Sequence, residues 1–396
     1  MKYRLLDLLC CPSCGDQLKL YPFEERENEI GNLEQRINAP RCQFHCGLKN
    51  IALIASNASH VMHNFDCIAC YKKEIVEGVL SCDCGNLFPI INSVPRLLYG
   101  NLKAFPHFIA KYQDKLMSLT KESGKQKSFL TLIDNFKSIH DSFSEEWSFF
   151  EYDQDKTWGW STEDRKEVFL NEIGYAPGQL KDKLLLDAGC GNGILTTVLS
   201  DFDMEVIGLD ISESVVGAEA NKAKFTENNT NFVHFVQGNL FTPPFKREAF
   251  DILYSSGVLH HCPDTKQTFI KLTPLVKENG RTFIWVYGKR GLLVRAFMSH
   301  GRFLRKHISL QTLFAYCKLI SLPYKVSTDL LTFLHIYEFR KRTNREVTLD
   351  LFDMFSPEFN HSHTPAELTQ WFTEQRFSNL SVAGVSKHGL GMRGDK

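Results

Sequence analysis

The sequence predicts an α/β protein in which a doubly wound sheet follows a small cysteine-rich β domain and carries a helical cap. Three observations lead to this prediction. Short apolar runs alternate with helical patterns from residue 184 onward, and the first run ends in a glycine-rich turn. Nine of the twelve cysteines lie within the first 84 residues. The segment from Lys289 to Thr328 contains no acidic side chain.

Composition and charge exclude several classes of protein. The chain has 396 residues, of which 43% are hydrophobic, and its 46 Lys and Arg balance 46 Asp and Glu. These values are not those of a disordered, collagen-like or coiled-coil chain, and the length allows two or three domains. The first ten residues show no signal-peptide cleavage site, and no window holds about 18 uninterrupted apolar residues. We therefore expect a cytoplasmic protein with reduced cysteines.

The cysteines of the N-terminal region come in close pairs, which is typical of metal sites. The pairs are Cys11 with Cys14, Cys42 with Cys46, Cys67 with Cys70, and Cys82 with Cys84. Tetrahedral zinc takes four thiolates, so eight paired cysteines predict two zinc ions. The simplest grouping is sequential, with the first two pairs around one ion and the last two around the other. An interleaved grouping stays open, as does a structural role without metal.

The second group of cysteines lies in a continuous pattern. Cys67-Ile-Ala-Cys70 is followed by Cys82-Asp-Cys84-Gly85, then by Phe88-Pro89-Ile90 and Val94-Pro95-Arg96. This pattern resembles the small zinc ribbons that occur alone as methyltransferase activators or fused ahead of bacterial methyltransferases. Leu5–Cys14 resembles the start of the same module, and the long gap before Cys42 departs from it. A closed four-thiolate site has no open coordination position, so the resemblance implies a folding role for zinc within residues 1–98.

Residues 99–180 are predicted to form helices that link this region to the sheet. Phe143, Trp147 and Phe150 recur at helical spacing, and a second stripe comprises Phe129, Leu132, Ile133 and Phe136. A further helix is predicted to begin after Ser161 or Thr162 and to end at Gly174. The stripes are expected to pack in the core. The alternative is a lid over the site that follows, formed by Phe143, Trp147, Tyr152, Trp158 and Trp160.

The sheet begins with a buried strand from Leu184 that ends in a glycine turn. The order Asp187, Gly189, Gly191, Gly193 differs from the Gly-x-Gly-x-x-Gly of dinucleotide sites, because Ile194 stands where the last glycine belongs. Glycines let the backbone approach a ligand, and a following helix directs its amides at an anionic group. This turn resembles the first motif of class I S-adenosylmethionine (SAM) dependent methyltransferases, whose cofactor carries a carboxylate and an ammonium and no pyrophosphate.

The next strands follow at the distances that an alternating β/α unit requires. Glu205–Leu209 ends in Asp210, where a carboxylate can accept both ribose hydroxyls. Phe232–Gln237 ends before Asn239 and Leu240, where the resemblance implies contact with adenine and where the family usually has an acid. The amide oxygen of Asn239 can accept that hydrogen bond, and the alternative is a plain turn residue.

The remaining elements complete the order expected from the resemblance. They are strand Phe250–Ser255, a helix over 266–276, a turn at Glu278–Gly280, strand Thr282–Tyr287, a helix from Thr364 and a strand near 380–385. The resemblance therefore implies a seven-stranded Rossmann-like methyltransferase sheet formed by residues 181–288 and 346–396.

The segment after the fourth strand, Ser256–Asp264, resembles the small-molecule and quinone-type branch of the family, where it lies between cofactor and substrate. Methyl transfer from a sulfonium is a direct displacement, so the acceptor must be held in line with the methyl group. His260 and His261 are the candidate catalytic bases, because imidazole titrates near neutrality. His261 is preferred because it lies further into the segment. Alternatively, one histidine caps backbone and the other lines the pocket.

Residues 289–345 are predicted to be a basic helical cap inserted after the fifth strand. Its acid-free part carries eight basic residues, namely Lys289, Arg290, Arg295, Arg302, Arg305, Lys306, Lys318 and Lys325. Such a basic, apolar and aromatic stretch suits a membrane surface, an anionic substrate or an RNA backbone. The alternative is a basic face that is simply solvated.

Together these features predict a SAM-dependent methyltransferase that acts on a small or lipid-linked metabolite, with structural zinc. An RNA methyltransferase is the alternative enzyme, since zinc ribbons and basic helices can both hold nucleic acid. The Asn/Asp-Pro-Pro-Tyr/Phe signature of nucleic-acid methylation is replaced by Tyr254-Ser-Ser-Gly257 after the fourth strand. A non-catalytic zinc-ribbon scaffold or activator with a vestigial SAM site is the other alternative.

Overall fold

The computed structural model describes ten stretches of the chain, and their secondary structure is mixed. The described residues are 1–29, 33–37, 40–53, 66–98, 101–123, 134–152, 160–226, 229–335, 342–384 and 389–396. Their helices are α1 (Leu33–Arg36), α2 (Cys67–Lys72), α3 (Pro106–Lys111), α4 (Gln113–Ser123), α5 (Asp134–Ser148), α6 (Thr162–Ile173), α7 (Ile194–Val198), α8 (Ser214–Asn221), α9 (Thr265–Leu272), α10 (Leu292–His307), α11 (Leu310–Phe333), α12 (Asn344–Phe355) and α13 (Pro365–Glu374). The predicted helical residues Phe129, Leu132 and Ile133, and Trp158 of the alternative lid, lie outside the described residues.

Three sheets lie within these stretches. Their strands are β1 (Lys19–Glu27), β2 (His45–Cys46), β3 (Ile51–Ala52), β4 (Lys73–Ser81), β5 (Leu87–Ile91), β6 (Val94–Pro95), β7 (Leu184–Ala188), β8 (Glu205–Asp210), β9 (Val233–Gln237), β10 (Phe250–Ser256), β11 (Val276–Tyr287), β12 (Ser378–Ala383) and β13 (Gly389–Asp395). The largest sheet has seven strands in the order β12-β13-β11-β10-β7-β8-β9. The seven-stranded sheet is therefore confirmed, and it is mixed because β13 runs antiparallel to both of its neighbours.

The parallel register of this sheet places its chemistry at one edge. Asp187 of β7 pairs with Gly208 of β8, and Asp210 of β8 pairs with Gln237 of β9, so the three strands end at nearly the same height. Carboxyl ends of parallel strands form the ligand-binding edge of doubly wound sheets. The sequence motifs that follow β7, β8 and β9 therefore meet at one crevice.

Helices cover both faces of the seven-stranded sheet. Helix α6 buries Phe169 and Ile173 on one face, against residues of β7, β8, β10 and β11. Helices α9 and α13 bury Phe269 and Phe372 on the other. The predicted ends of α6 are confirmed, since Ser161 and Asp164 form a capping box and Gly174 ends the helix in the left-handed region.

The turn predicted at Glu278–Gly280 lies inside β11 as an irregularity of that strand. Phe250 pairs with Val276 and Ile252 pairs with Arg281, so the four residues 277–280 lie opposite a single residue of β10. Asn279 keeps a positive φ of 63° within the strand. Its amide donates to the carbonyl of Lys396 at 2.8 Å, and the amide of Lys396 donates to the carbonyl of Gly280 at 2.9 Å. The partner that holds this segment in the sheet lies more than a hundred residues away, where local sequence patterns carry no information about it.

The N-terminal region packs directly on the large sheet. Its four-stranded sheet has the order β1-β4-β5-β6. Leu6, Leu8 and Leu9 share one hydrophobic cluster with Leu186 and Leu209 of the large sheet. Backbone hydrogen bonds join the two parts as well, from Cys10 N to Pro244 O at 3.0 Å and from Leu97 N to Gln237 O at 2.8 Å. The two sheets therefore share a single core.

A buried ionic cluster ties the two parts together, and its loss is expected to be costly. Arg4 of the N-terminal region donates through Nε to Glu205 of β8 at 3.3 Å and also pairs with Asp7. Burial alone would raise the pKa of Glu205, but Arg4 and His234 outweigh burial and lower it to about 2. Replacing Arg4 with alanine removes the guanidinium from the buried carboxylates of Glu205 and Asp7, and breaking a buried ion pair in this way costs about 3–5 kcal/mol.

Urea unfolding of Arg4→Ala measures this loss directly. Lys19→Ala is the matched control, because it breaks an exposed pair with Asp83 whose nitrogen and oxygen lie 2.6 Å apart. An exposed pair contributes no more than about 1 kcal/mol. Equal losses in the two variants would contradict a joining role for Arg4.

The helices after β11 form a second, smaller core. Leu313 and Cys317 of α11 pack against Val347, Leu351 and Phe352 of α12. Helix α12 begins at Asn344, two residues before the core segment predicted to start at residue 346, and its apolar face packs against α11. The helices that form this smaller core therefore extend to Phe355.

Candidate functional site

The glycine turn after β7 adopts a conformation that requires glycine. Gly189, Gly191 and Gly193 have φ angles of 91°, 52° and 71°, in the left-handed region that L side chains rarely adopt. A Cβ at Gly191 would lie 2.6 Å from Cζ2 of Trp147, and a Cβ at Gly189 would lie 2.4 Å from the Val258 side chain. The turn therefore requires glycine both for its backbone conformation and for the close packing of Trp147 and Val258 against it.

Asp187 and Asp210 hold this turn from two sides. Thr196 donates its hydroxyl to Oδ2 of Asp187 at 2.6 Å, and burial raises the pKa of Asp187 to about 6. Oδ2 of Asp210 accepts from Gly191 N at 2.9 Å. Oδ1 accepts from the amide and the hydroxyl of Ser212 at 2.9 and 2.7 Å. Because a carboxylate has about four acceptor sites, Oδ2 keeps room for one ligand hydroxyl.

Asn239 and Leu240 follow β9, at the same edge of the sheet. Oδ1 of Asn239 accepts from the amide of Phe241 at 2.9 Å, which is the hydrogen bond of an Asx turn. Leu240 is buried in the large hydrophobic cluster. The present contact of Asn239 is therefore that of a plain turn residue. Contact of Asn239 or Leu240 with adenine stays a prediction.

His260 and His261 lie on a short 3₁₀ helix, Leu259–His261, that follows β10. His260 is fully buried, and neither ring nitrogen has a hydrogen-bond partner among the described residues. Its ring centroid lies 3.8 Å from that of Tyr287. Burial, together with neighbouring positive groups, holds the pKa of His260 well below its usual value. His260 is therefore neutral at physiological pH.

His261 is held by the backbone of a distant loop. Its Nδ1 lies 3.0 Å from the carbonyl of Phe359. Because a carbonyl only accepts, this contact assigns the proton to Nδ1 and leaves a lone pair on Nε2. Burial lowers the pKa of His261 to about 4, which makes it a weak base.

A cluster of polar side chains beside these histidines, called the polar pocket below, contains residues that no sequence pattern marks as site residues. Arg290 lies with its guanidinium carbon 4.0 Å from the centre of the Tyr287 ring, so it is not part of a solvated basic face. Among the buried polar atoms that have no hydrogen-bond partner in the described part of the chain, Arg290 Nε, His361 Nε2 and Glu146 Oε2 belong to this cluster. Unpartnered buried polar atoms are costly, so such a cluster indicates a ligand site.

Two carboxyl groups border this pocket from different helices. Glu146 of α5 is buried, and Asp353 of α12 is half-buried. Burial, the negative charge of Asp353 and that of Asp210 raise the pKa of Glu146 well above its usual value. Burial and Asp350 raise the pKa of Asp353 to about 7, against a smaller opposing effect of Arg290. The available signal in the sequence was an acid directly beside an aromatic residue of a helix, since Glu146 precedes Trp147 and Asp353 follows Phe352.

Helix α5 positions Glu146 by contacts to the cofactor edge of the sheet. The amide of Glu213, which precedes α8, donates to Oγ of Ser144 at 3.0 Å. Trp147 contacts Gly191, and beyond the helix the hydroxyl of Tyr152 donates to the carbonyl of Asn192 at 2.9 Å. The helix therefore lies over the glycine turn, as the lid alternative required.

Four cysteines converge at the tip of the N-terminal region. The sulfur atoms of Cys11, Cys14, Cys82 and Cys84 all lie within 4.8 Å of one another. Cys11 and Cys84 are 3.7 Å apart, and Cys14 and Cys82 are 3.4 Å apart. The sequential grouping is therefore wrong, and the interleaved alternative describes this cluster. Antiparallel pairing of β1 with β4, with Lys19 opposite Ser81, brings the two loops together.

The other four predicted ligands lie near one another but form a looser group. Cys42 and Cys46 are hydrogen-bonded, and Cys46 is close enough to affect the pKa values of Cys67 and Cys70, which lie on α2. Within the described residues, the Cys11 group alone has four sulfur atoms at metal-ligand spacing. A zinc role of the second group stays a prediction.

Comparison with known proteins gives matches along the large sheet. Residues 186–284 match the family model described as "Methyltransferase domain". The chain is 25% identical over 211 residues to a ubiquinone biosynthesis O-methyltransferase of Coxiella burnetii (strain Dugway 5J108-111), covering 53% of this chain and 70% of the relative. A demethylmenaquinone methyltransferase of Lactococcus lactis subsp. lactis (strain IL1403) is 34% identical over 107 residues.

The second match covers 26% of this chain and 42% of the relative, so the chain spans less than half of that relative's length. Among solved structures, magnesium protoporphyrin IX methyltransferase from Synechocystis PCC 6803 with bound S-adenosylhomocysteine (SAH) is similar at 14% identity and a TM-score of 0.41. That match covers 66% of this chain and 99% of the other.

Proposed function

We propose that this chain, which carries a class I SAM-dependent methyltransferase domain, transfers the methyl group of SAM to a hydroxyl group of a small or lipid-linked metabolite. The observation that supports the proposal most is the junction of the glycine turn with Asp210, where Gly191 N lies 2.9 Å from Oδ2. The names of the relatives, a quinone O-methyltransferase among them, support the acceptor class.

The residues of the crevice fit the methyl donor. The glycine turn ahead of α7 is where the carboxylate and ammonium of SAM would bind, and Oδ2 of Asp210 has room for a ribose hydroxyl. SAM, when bound, supplies a methyl group on an electrophilic sulfonium. The chain orients the acceptor and excludes water through α5 and the loop that contains Phe359.

We propose that the carboxyl groups of Glu146 and Asp353 take the hydroxyl proton of the methyl acceptor, with His261 as the alternative base. A base acts best when its pKa is near the working pH, and the pKa of Asp353 is about 7. The pKa of His261 is about 4, and that of His260 is well below its usual value. As the acceptor oxygen bonds to the methyl carbon and the carbon–sulfur bond breaks, the carboxylate takes the hydroxyl proton.

We also propose that Cys11, Cys14, Cys82 and Cys84 hold a structural zinc ion. Zn–S bonds of about 2.3 Å in a tetrahedron place sulfur atoms about 3.8 Å apart, close to the observed 3.4 and 3.7 Å. The side-chain amide of Asn86 donates to Cys84 Sγ at 3.2 Å, which stabilises a thiolate. A second ion on Cys42, Cys46, Cys67 and Cys70 is proposed on the pairing of these cysteines, and metal analysis distinguishes one ion from two.

Replacing Asp210 with alanine is expected to weaken the binding of SAM and SAH about 10- to 150-fold. Each hydrogen bond to a charged group contributes about 1.5–3 kcal/mol, and the variant removes one to the ligand as well as the support of Gly191. Calorimetry measures both affinities. Asp114→Ala, an exposed position on α4, is the matched control. Unchanged SAM affinity in Asp210→Ala would mean that SAM does not bind at Asp210.

Transfer of labelled methyl from SAM into a cell extract identifies the acceptor class. The extract is fractionated into RNA, lipid and small-molecule pools after incubation with the purified protein. Label in the lipid or small-molecule pool is expected, and label in RNA would support the alternative enzyme. A wild-type protein that binds no SAM would support the scaffold alternative.

A further inference from the structure

The outward side of α11 carries a continuous row of exposed apolar side chains. Leu319, Leu322, Val326, Leu330 and Phe333 follow one another at intervals of three or four residues, so they share one face of the helix. Their exposed fractions are 75%, 58%, 58%, 53% and 78%. We call these five residues the outer stripe.

The opposite side of α11 already satisfies the hydrophobic requirement of the helix. Leu313 and Cys317 are fully buried against α12, and Ser321 is fully buried below them. A surface helix of a globular protein ordinarily shows polar residues opposite such a face. A second apolar face without a covering element in the described residues indicates a surface that binds something.

Exposed basic side chains lie on α10 and on α11. The outward side of α10 combines Leu292 and Phe303, exposed by 81% and 61%, with exposed Arg295 and Lys306. Lys318 is exposed on α11 next to the stripe. Asp329, the first acid after Tyr287, is paired with Lys325. Apolar side chains beside cations that have no ion-pair partner within the described residues match the interface of an anionic lipid bilayer.

We propose that α10 and α11 bind the surface of an anionic lipid bilayer, with the outer stripe inserted among the acyl chains near the headgroups. No helix in the described stretches is long and apolar enough to cross a membrane, so the helices lie along the surface. A second copy of the chain fits less well, because it would bring the cations of one face against those of the other. Anionic headgroups neutralise them instead.

This binding is independent of the proposed activity, but its position would serve a lipid-linked acceptor. Helix α11 packs on α12, and α12 carries Asp353 at the polar pocket. The cap therefore has the membrane surface on its outer side and the acceptor pocket on its inner side.

Sedimentation with vesicles tests the proposal on the full chain. Wild-type protein is expected to sediment with vesicles of phosphatidylcholine and phosphatidylglycerol at 7:3, and at least tenfold less with phosphatidylcholine alone. The triple variant Leu322→Gln/Leu330→Gln/Phe333→Gln is expected to bind the anionic vesicles at least tenfold more weakly than wild type. The double variant Arg295→Glu/Lys306→Glu is also expected to bind them more weakly, and its difference from wild type is expected to decrease as salt is added. Val382→Gln, at an exposed apolar residue of β12, is the matched control.

Folding and self-association are measured on the same samples. Because the substituted side chains are exposed, each variant is expected to keep the wild-type melting temperature. Absence of wild-type binding to the anionic vesicles would overturn the proposal. So would a wild-type dimer that the triple variant converts to a monomer, because a second copy would then cover the stripe.

Discussion

Replacing Cys82 with serine is expected to remove one zinc ion per chain and to unfold the N-terminal region. Zinc binding to four thiolates contributes on the order of 10 kcal/mol to the folding of small metal domains, comparable to the whole stability of a typical protein. Leu6, Leu8 and Leu9 share the core of the large sheet, so the loss is expected to spread to that sheet. Metal analysis and thermal melting followed by circular dichroism measure the two effects.

The grouping of the ligands is tested by a double variant. Cys14→Ser, Cys82→Ser and the combination of both are expected to lose the same single ion, because the two sulfur atoms are 3.4 Å apart in one cluster. In the sequential grouping they would belong to different ions, and the double variant would lose two. Cys262→Ser is the control, since Cys262 lies after β10, far along the chain from every proposed ligand. Full zinc content in Cys82→Ser would contradict the site.

The large sheet could be predicted because its signals are local. The apolar run from Leu184 forms β7, the glycines that follow it have positive φ, and Ser161 and Asp164 cap α6 as their spacing indicates. Each of these outcomes depends on residues within a few positions of one another. The same reason explains why Asp187 and Asp210 were placed at one edge, since register follows from parallel pairing.

The parts that could not be predicted depend on contacts between distant segments. The cysteine grouping follows from the pairing of β1 with β4, which the spacing of Cys14 and Cys82 does not encode. Arg290 is one of eight basic residues in the acid-free segment, and only its contact with the Tyr287 ring, which follows from the fold, distinguishes it from the others. Glu146 and Asp353 lie on different helices, and neither has a motif around it. Functional acids of this kind are visible only once burial is known.

Replacing Glu146 with glutamine or Asp353 with asparagine is expected to slow methyl transfer and to stabilise the protein without ligand. A positioned general base contributes about 10²- to 10⁴-fold to rate, so kcat is expected to fall within that range. The stability change has the opposite sign, because the loss of hydration at these carboxyl groups opposes folding when they ionise. Gain of stability with loss of rate is typical of a residue kept for function.

The pH dependence of stability gives a readout that is independent of turnover. The pKa of Asp353 is raised from 3.8 to about 7 in the folded protein. Protonation therefore favours the folded state below about pH 4, and this contribution is lost as the pH rises to about 7. Asp353→Asn removes the dependence, so its advantage in melting temperature over wild type is expected to be larger at pH 8 than at pH 5. The groups around it, Asp350 and Arg290, stay unchanged.

Glu145→Gln is the matched control on the same helix, because Glu145 adjoins Glu146 but is only half-buried. It is expected to keep the rate and the stability of wild type. His261→Ala separates the carboxyl assignment from the alternative base. If Glu146→Gln and Asp353→Asn kept the wild-type rate while His261→Ala lowered it, Nε2 of His261 would be the proton acceptor. The reason is that the carbonyl of Phe359 fixes the proton of His261 on Nδ1, so that Nε2 is the ring nitrogen able to accept a proton.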